Sequence, residues 1–133
     1  MSADRVTYLD ASAIVKLAVL EEDSTALCRY VTRQRTLVSS ALARTEVGRA
    51  LLPSGARAVA RGEDALETLE LVGLSQRVLK RAAELLPAEL RTLDAIHLAT
   101  AHLMGSSLAR LVTYDDRMAE AARGLGLTVV SPG

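Results

Sequence analysis

Short strand-like runs that alternate with helical patterns constrain this chain more than any other feature. Val6–Leu9, Thr36–Ser39, Leu69–Leu74, Arg110–Tyr114 and Thr128–Val130 read as strands. Between them the apolar spacing predicts helices at Ser12–Leu20, from Asp23 or Ser24 to about Gln34, at Ala41–Leu52, from Ser75 to Pro87, at Thr92–Met104 and at Asp116–Gly124. Pro53 stops the third helix, Thr92 is the expected N-cap of the fifth, and Gly105 its stop. Residues 53–64 mix breakers with charge and read either as a short helix or as a mobile excursion. Strands that alternate with helices require crossovers, and crossovers give a mostly parallel sheet of four to five strands covered on both faces. No repeat, low-complexity tract or linker divides residues 1–133, so a single α/β domain is expected.

The chain is long enough to bury roughly 68–70% of its unfolded surface, and half of it is apolar. With no Phe or Trp and three Tyr, the core must come from Leu, Val, Ile and Ala, and an aromatic platform for stacking single-stranded nucleic acid is excluded. Sixteen basic residues balance 16 acidic ones, so no global basic field steers a polyanion. Only Lys16 and Lys80 are lysine; the rest are arginines, which can grip phosphate bidentately, though codon bias towards Arg is the plainer cause of the ratio. Cys28 is alone, which rules out an internal disulfide and a thiolate metal site and predicts a small core residue. Asp4, Asp10 and Lys16 break any signal-peptide layout, and no run approaches a membrane span; a soluble cytoplasmic protein is expected.

Against this apolar background four acids stand out. Asp10 ends the first strand, Glu46 lies within the apolar pattern of the third helix, Asp94 interrupts the Leu93–Ala99 run, and Asp115 closes Leu111–Tyr114 with Asp116 beside it. Sites in open parallel sheets form outside the carboxyl ends of the strands, where all four can meet. Carboxylates among apolar residues are costly unless paired or bound to metal. A convergent set suits a hard cation such as Mg2+ or Mn2+ and metal-assisted phosphodiester hydrolysis. Asp10 and Asp94 are the expected direct ligands; Glu46, Asp115 and Asp116 would position waters or hold a second ion. Like-charge crowding should raise at least one of these pKa values. Singly, each Asp has a plainer explanation as a helix cap, but capping does not explain Glu46 in mid-helix.

Tyr8-Leu9-Asp10-Ala11-Ser12-Ala13, Thr45-Glu46, Leu90 to Ala101 (with Thr92-Leu93-Asp94-Ala95-Ile96-His97), Leu111 to Met118 and the Gly124-Leu125-Gly126-Leu127 turn follow one another in the order of a known family. The chain resembles the PIN-domain ribonucleases, and within them the VapC-type toxins of bacterial toxin–antitoxin pairs. The resemblance implies a three-layer α/β/α sandwich and a Mg2+- or Mn2+-dependent endoribonuclease. In it, Asp10, Glu46, Asp94 and Asp115 form the acidic quartet and Thr113 the accompanying hydroxyl. It also implies an RNA substrate, a homodimer, and a VapB-like antitoxin that obstructs the site in a heterotetramer or larger assembly.

Supporting roles fall to Ser12, which either steadies Asp10 or caps the first helix, and to His97, which shares a helix face with Asp94 and reads mainly as packing or orientation. Arg91 is placed either for the scissile phosphate or for a salt bridge with the acids. Arg33, Arg35, Arg57 and Arg61 form either an RNA-binding rim or an ordinary solvated face. Leu17, Val19, Leu20, Leu27 and Val31 line either an antitoxin groove or the core. Two other functions stay open: a housekeeping PIN nuclease in RNA maturation (or an inactive binding domain), and a receiver-like signalling module. The receiver reading lacks an acidic neighbour for Asp10 closer than Asp4 and a lysine after Lys80.

Overall fold

The computed structural model describes residues 5–133, so the reading of Asp4 lies outside the described residues. Strands β1 (Val6–Leu9), β2 (Leu37–Ser40), β3 (Glu70–Val72), β4 (Leu108–Val112) and β5 (Val129–Val130) form one sheet in the order β3-β2-β1-β4-β5. Every pairing is parallel. The chain steps outward from β1 to β2 and β3, then crosses back to place β4 on the other side of β1. Right-handed crossovers put the helices of these two excursions on opposite faces.

The pleat of the central strands shows the two faces directly. Leu9 and Val112 point into a core shared with α1 (Ala11–Ala18), α2 (Ser24–Thr32), α3 (Leu42–Leu51) and α4 (Ala56–Glu67). Their neighbours Tyr8 and Leu111 point the other way, against α6 (Thr92–His102) and α7 (Asp116–Gly124). Helix α5 (Gln76–Glu84) packs on α6 through Val78. From Ala95 to Ala101 every residue of α6 is buried, the pattern of a helix enclosed on all sides. The expected α/β/α layering is present, with all five strands parallel.

Several local expectations are corrected. Ser12 does not cap the first helix: Asp10 does, accepting from the Ala13 N–H, and Ser12 lies inside α1. Thr92 is likewise the first residue of α6, behind Arg91 in the cap position. Ser75 caps α5 as expected, but that helix ends at Glu84, short of Pro87. The ambiguous stretch 53–64 is ordered: a 3-10 turn at Leu52–Ser54 leads through Gly55 (φ +96°) into the twelve-residue α4. Cys28 is exposed, because it sits on the outer side of α2 while Leu27 takes the core position. Arg33 and Arg35 precede β2 and so lie at the amino edge of the sheet, and the Arg61 Nε donates to the Ala18 carbonyl (2.9 Å). Leu27 is core and Leu17, Val19 and Val31 pack against it, leaving Leu20 as the exposed member of that set.

Candidate active site

The sheet order reverses between β1 and β4, and crevices at such a reversal are where open α/β sheets bind ligands. Asp10 leaves β1 at this point and Thr113 leaves β4 beside it. Asp10 is buried, at 2% exposure, with both oxygens engaged. Oδ1 accepts from the Ser12 hydroxyl (2.7 Å) and the Ala13 N–H (3.1 Å); Oδ2 accepts from the Thr113 hydroxyl (2.5 Å). Those two hydroxyls in turn accept from the backbone N–H groups of Tyr114 and Asp115 (both 3.0 Å). The two strand ends are thereby tied together through one carboxylate. Burial pushes the Asp10 carboxyl above its usual range, while the Thr113, Ser12 and Ala13 hydrogen bonds and nearby His97 pull it back down. A raised acid was expected, but its cause is desolvation and not the crowding of like charges.

Asp115 is the N-cap of α7: its Oδ1 accepts from the Met118 N–H (3.0 Å). Its Oδ2 accepts from Arg91 Nη2 (3.1 Å), and Arg91 Nε donates to Asp94 Oδ2 (3.1 Å). The guanidinium, on a side chain 64% exposed, thus binds the two acids together from outside. Asp116 is exposed and takes no part in these contacts. Glu46 reaches from α3 to His97 Nε2 (2.5 Å), and His97 Nδ1 lies 2.7 Å from the Tyr8 hydroxyl.

One network therefore joins Asp10, Thr113, Asp115, Arg91 and Asp94, and a second joins Glu46, His97 and Tyr8, with His97 one turn along α6 from Asp94. Among the described residues no three His, Cys, Asp or Glu side chains are arranged as a ready-made metal cluster. The donor chemistry nonetheless fits a hard divalent cation. All four candidates are carboxylates, Asp10 uses three of its roughly four lone pairs, and Arg91 engages one oxygen of each partner. Beside Arg91 and Asp94 opens a cleft of about 1200 Å3, floored by Leu85, Leu90 and Leu125 and walled by arginines and glutamates. Sequence reasoning missed Tyr8, whose position in an apolar strand gave no sign of a polar partner 89 residues away.

An all-parallel sheet with Asp10, Asp94 and Asp115 linked through Thr113 and Arg91 at its reversal, and Glu46 held by His97 one turn along α6 from Asp94, defines an α/β class with an acidic candidate site. The chain belongs to the PIN domain family, whose model matches residues 7–124. It is 58% identical over 125 residues to Ribonuclease VapC46 of Mycobacterium tuberculosis, covering 94% of this chain and 96% of that protein. It is 39% identical to Ribonuclease VapC35 of the same species over 130 residues, covering 95% and 96%. Among solved structures, Mycobacterium tuberculosis VapC20, described as a Sarcin-Ricin loop cleaving toxin, superposes with a TM-score of 0.77 at 16% identity, covering 95% of this chain and 99% of that one. VapBC2 from Rickettsia felis, bound to a promoter DNA fragment, gives 0.72 at 14% identity, covering 96% and 99%. These two likenesses concern the fold. The receiver-like reading falls here: receivers order their strands 2-1-3-4-5, whereas this sheet runs 3-2-1-4-5. No helix among the described residues is long and apolar enough to cross a membrane.

Proposed function

We propose that this chain is a PIN-family endoribonuclease acting, as a single domain, as the toxin of a toxin–antitoxin pair. The observation that carries the reading is the buried Asp10 carboxylate, fixed at the β1/β4 reversal with Asp94 and Asp115 gathered through Arg91. The ribonuclease name of a relative 58% identical along nearly the whole chain supports it. The VapC naming of the relatives, and the VapC20 toxin and VapBC2 among the structural neighbours, favour the toxin role over housekeeping RNA maturation. The partners are then RNA, a VapB-like antitoxin and a second copy of this chain, and the compartment is the cytoplasm.

Asp10 and Asp94 are the proposed ligands of Mg2+ or Mn2+, with Glu46 and Asp115 holding a second ion or its waters. Asp115 is favoured over Asp116 because it shares Arg91 with Asp94 while Asp116 faces solvent. A bound divalent cation lowers the pKa of water and stabilises charge on the leaving oxygen. The protein's own contribution is orientation. Ser12 and Thr113 hold Asp10 in a single rotamer, so that its remaining lone pair points where the strand ends dictate. Arg91, tethered to two acids yet mostly exposed, is placed to exchange one of them for a phosphodiester oxygen.

The test is cleavage of a mixed cellular RNA pool by purified protein with Mn2+, Mg2+ or EDTA, beside Asp94→Asn. Discrete fragments that need metal and vanish in the variant are expected, and sequencing their ends identifies the target. Cleavage that persists in EDTA, or equally in Asp94→Asn, would overturn the site assignment.

A further inference from the structure

Asp10, Asp94 and Asp115 are held by hydroxyls, backbone N–H groups and an arginine, but Glu46 is held by a histidine. The acid sits in mid-helix on α3, so no strand end fixes its reach, and a long flexible side chain needs a partner to hold one rotamer. That partner, His97, is 1% exposed at the centre of the buried helix α6. Behind it lies Tyr8, fully buried in the middle strand of the sheet, its ring edge-on to the imidazole at 5.8 Å between centroids.

The protons in this chain of contacts follow from the inventory of donors. A carboxylate only accepts, so Nε2 must carry a proton toward Glu46. In the neutral ring Nδ1 is then the bare acceptor, and the group facing it has to donate. Tyr8 can. An ordinary phenol keeps its proton at neutral pH.

We infer that Tyr8 and His97 form a relay that positions Glu46: the phenol donates to Nδ1 and fixes the tautomer, and Nε2–H fixes the carboxylate. This rests on the nuclease reading, in which Glu46 helps to hold the cation. Tyr8 and His97 are positioning residues, and partners that orient metal-binding groups cost roughly 10–100-fold in affinity or activity when removed.

The experiment measures Mn2+ binding by titration calorimetry in the absence of RNA, with RNA cleavage measured alongside. Tyr8→Phe keeps the ring and removes only the donor. It is expected to weaken Mn2+ binding roughly 10-fold and to lower kcat with KM for RNA unchanged. In a Glu46→Gln background the same substitution should change nothing further, since the relay acts through that carboxylate. Wild-type binding by Tyr8→Phe, or an equal loss in both backgrounds, would overturn the relay. Should Tyr8→Phe fail to fold, His97 decides: His97→Gln, which keeps an N–H toward Glu46, is expected to bind Mn2+ better than His97→Ala, and equality of the two overturns the inference. Wild-type protein that binds Mn2+ but cleaves no RNA would sink the nuclease reading and leave the relay standing. Wild-type protein that binds no Mn2+ would sink both.

Discussion

Asp10 carries a charge that the fold resists. Its carboxyl is raised by burial, so the folded chain holds a proton there at a pH where the unfolded chain has released it. Between the ordinary aspartate value of 3.8 and the raised folded value, stability falls as pH rises, and the deficit persists at neutrality. Asp10→Asn removes that penalty: its amide oxygen accepts from Ser12 and Ala13, and its amino group donates to Thr113. Thermal unfolding of the metal-free protein at neutral pH is expected to show the variant more stable, on the order of 1 kcal/mol or a few °C, with the gain vanishing below pH 3.8. Cleavage should fall by more than the roughly 10–100-fold typical of losing an outer partner. An unchanged or lowered melting temperature would show that the three hydrogen bonds outweigh desolvation. His97→Ala runs the other way, because it strands the Tyr8 hydroxyl and opens a cavity; urea unfolding should report a loss of about 2–4 kcal/mol. The acids were legible in the sequence because charge beside apolar residues is conspicuous. Tyr8 was not, because a tyrosine in a strand is ordinary until its partner is known.

Helix α4 shows what local pattern could not decide. Pro53 and Gly55 look like breakers, and Arg57, Arg61, Glu63 and Asp64 look like a solvated loop. The helix forms because Ala58, Gly62 and Leu66 recur on one face and bury against α3 and α1. Gly62 marks the closest approach: a Cβ there would lie 2.4 Å from Leu51 Cδ1 and 3.2 Å from Val47 Cγ1. Both neighbours belong to the core, with Leu51 at 1% exposure. Gly62→Ala should therefore destabilise, since overpacking by roughly 1–3 kcal/mol exceeds the gain of about 1 kcal/mol in helix propensity. Equilibrium unfolding in urea checks the sign, and a gain in stability would mean that Leu51 swings aside freely. The capping errors at Ser12 and Thr92 share a cause: the cap position belongs to the residue whose backbone is still extended, and that is Asp10, two residues before Ser12, and Arg91, one before Thr92.

Alternation of strand and helix was enough to foresee a parallel, layered sheet, but not the order of its strands. That order matters, because the crossing from β3 back to β4 brings residues more than 100 positions apart, Asp10 and Thr113, into one hydrogen bond. The same crossing sets Asp94 and Asp115 on either side of Arg91. Under the proposed function, this edge brings carboxylates together beside the exposed Arg91 guanidinium and a few hydroxyls, and a cation would add to that balance. A ligand that binds only the assembled edge stabilises the whole fold by mass action, about 2.7 kcal/mol at a hundredfold excess over Kd. For a chain of this length that corresponds to a rise in melting temperature on the order of 10 °C. The rise should be present with Mn2+ at neutral pH and shrink on acidification, because a cation competes with protons for carboxylates, and burial raises the Asp10 carboxyl above its ordinary range. Asp10→Asn should start from a higher melting temperature and gain little from Mn2+, so the two curves should approach or cross as metal is added. Calorimetric scans of both proteins across Mn2+ concentration and pH measure this directly. Equal Mn2+ shifts in wild type and Asp10→Asn would place the cation somewhere other than the β1/β4 reversal.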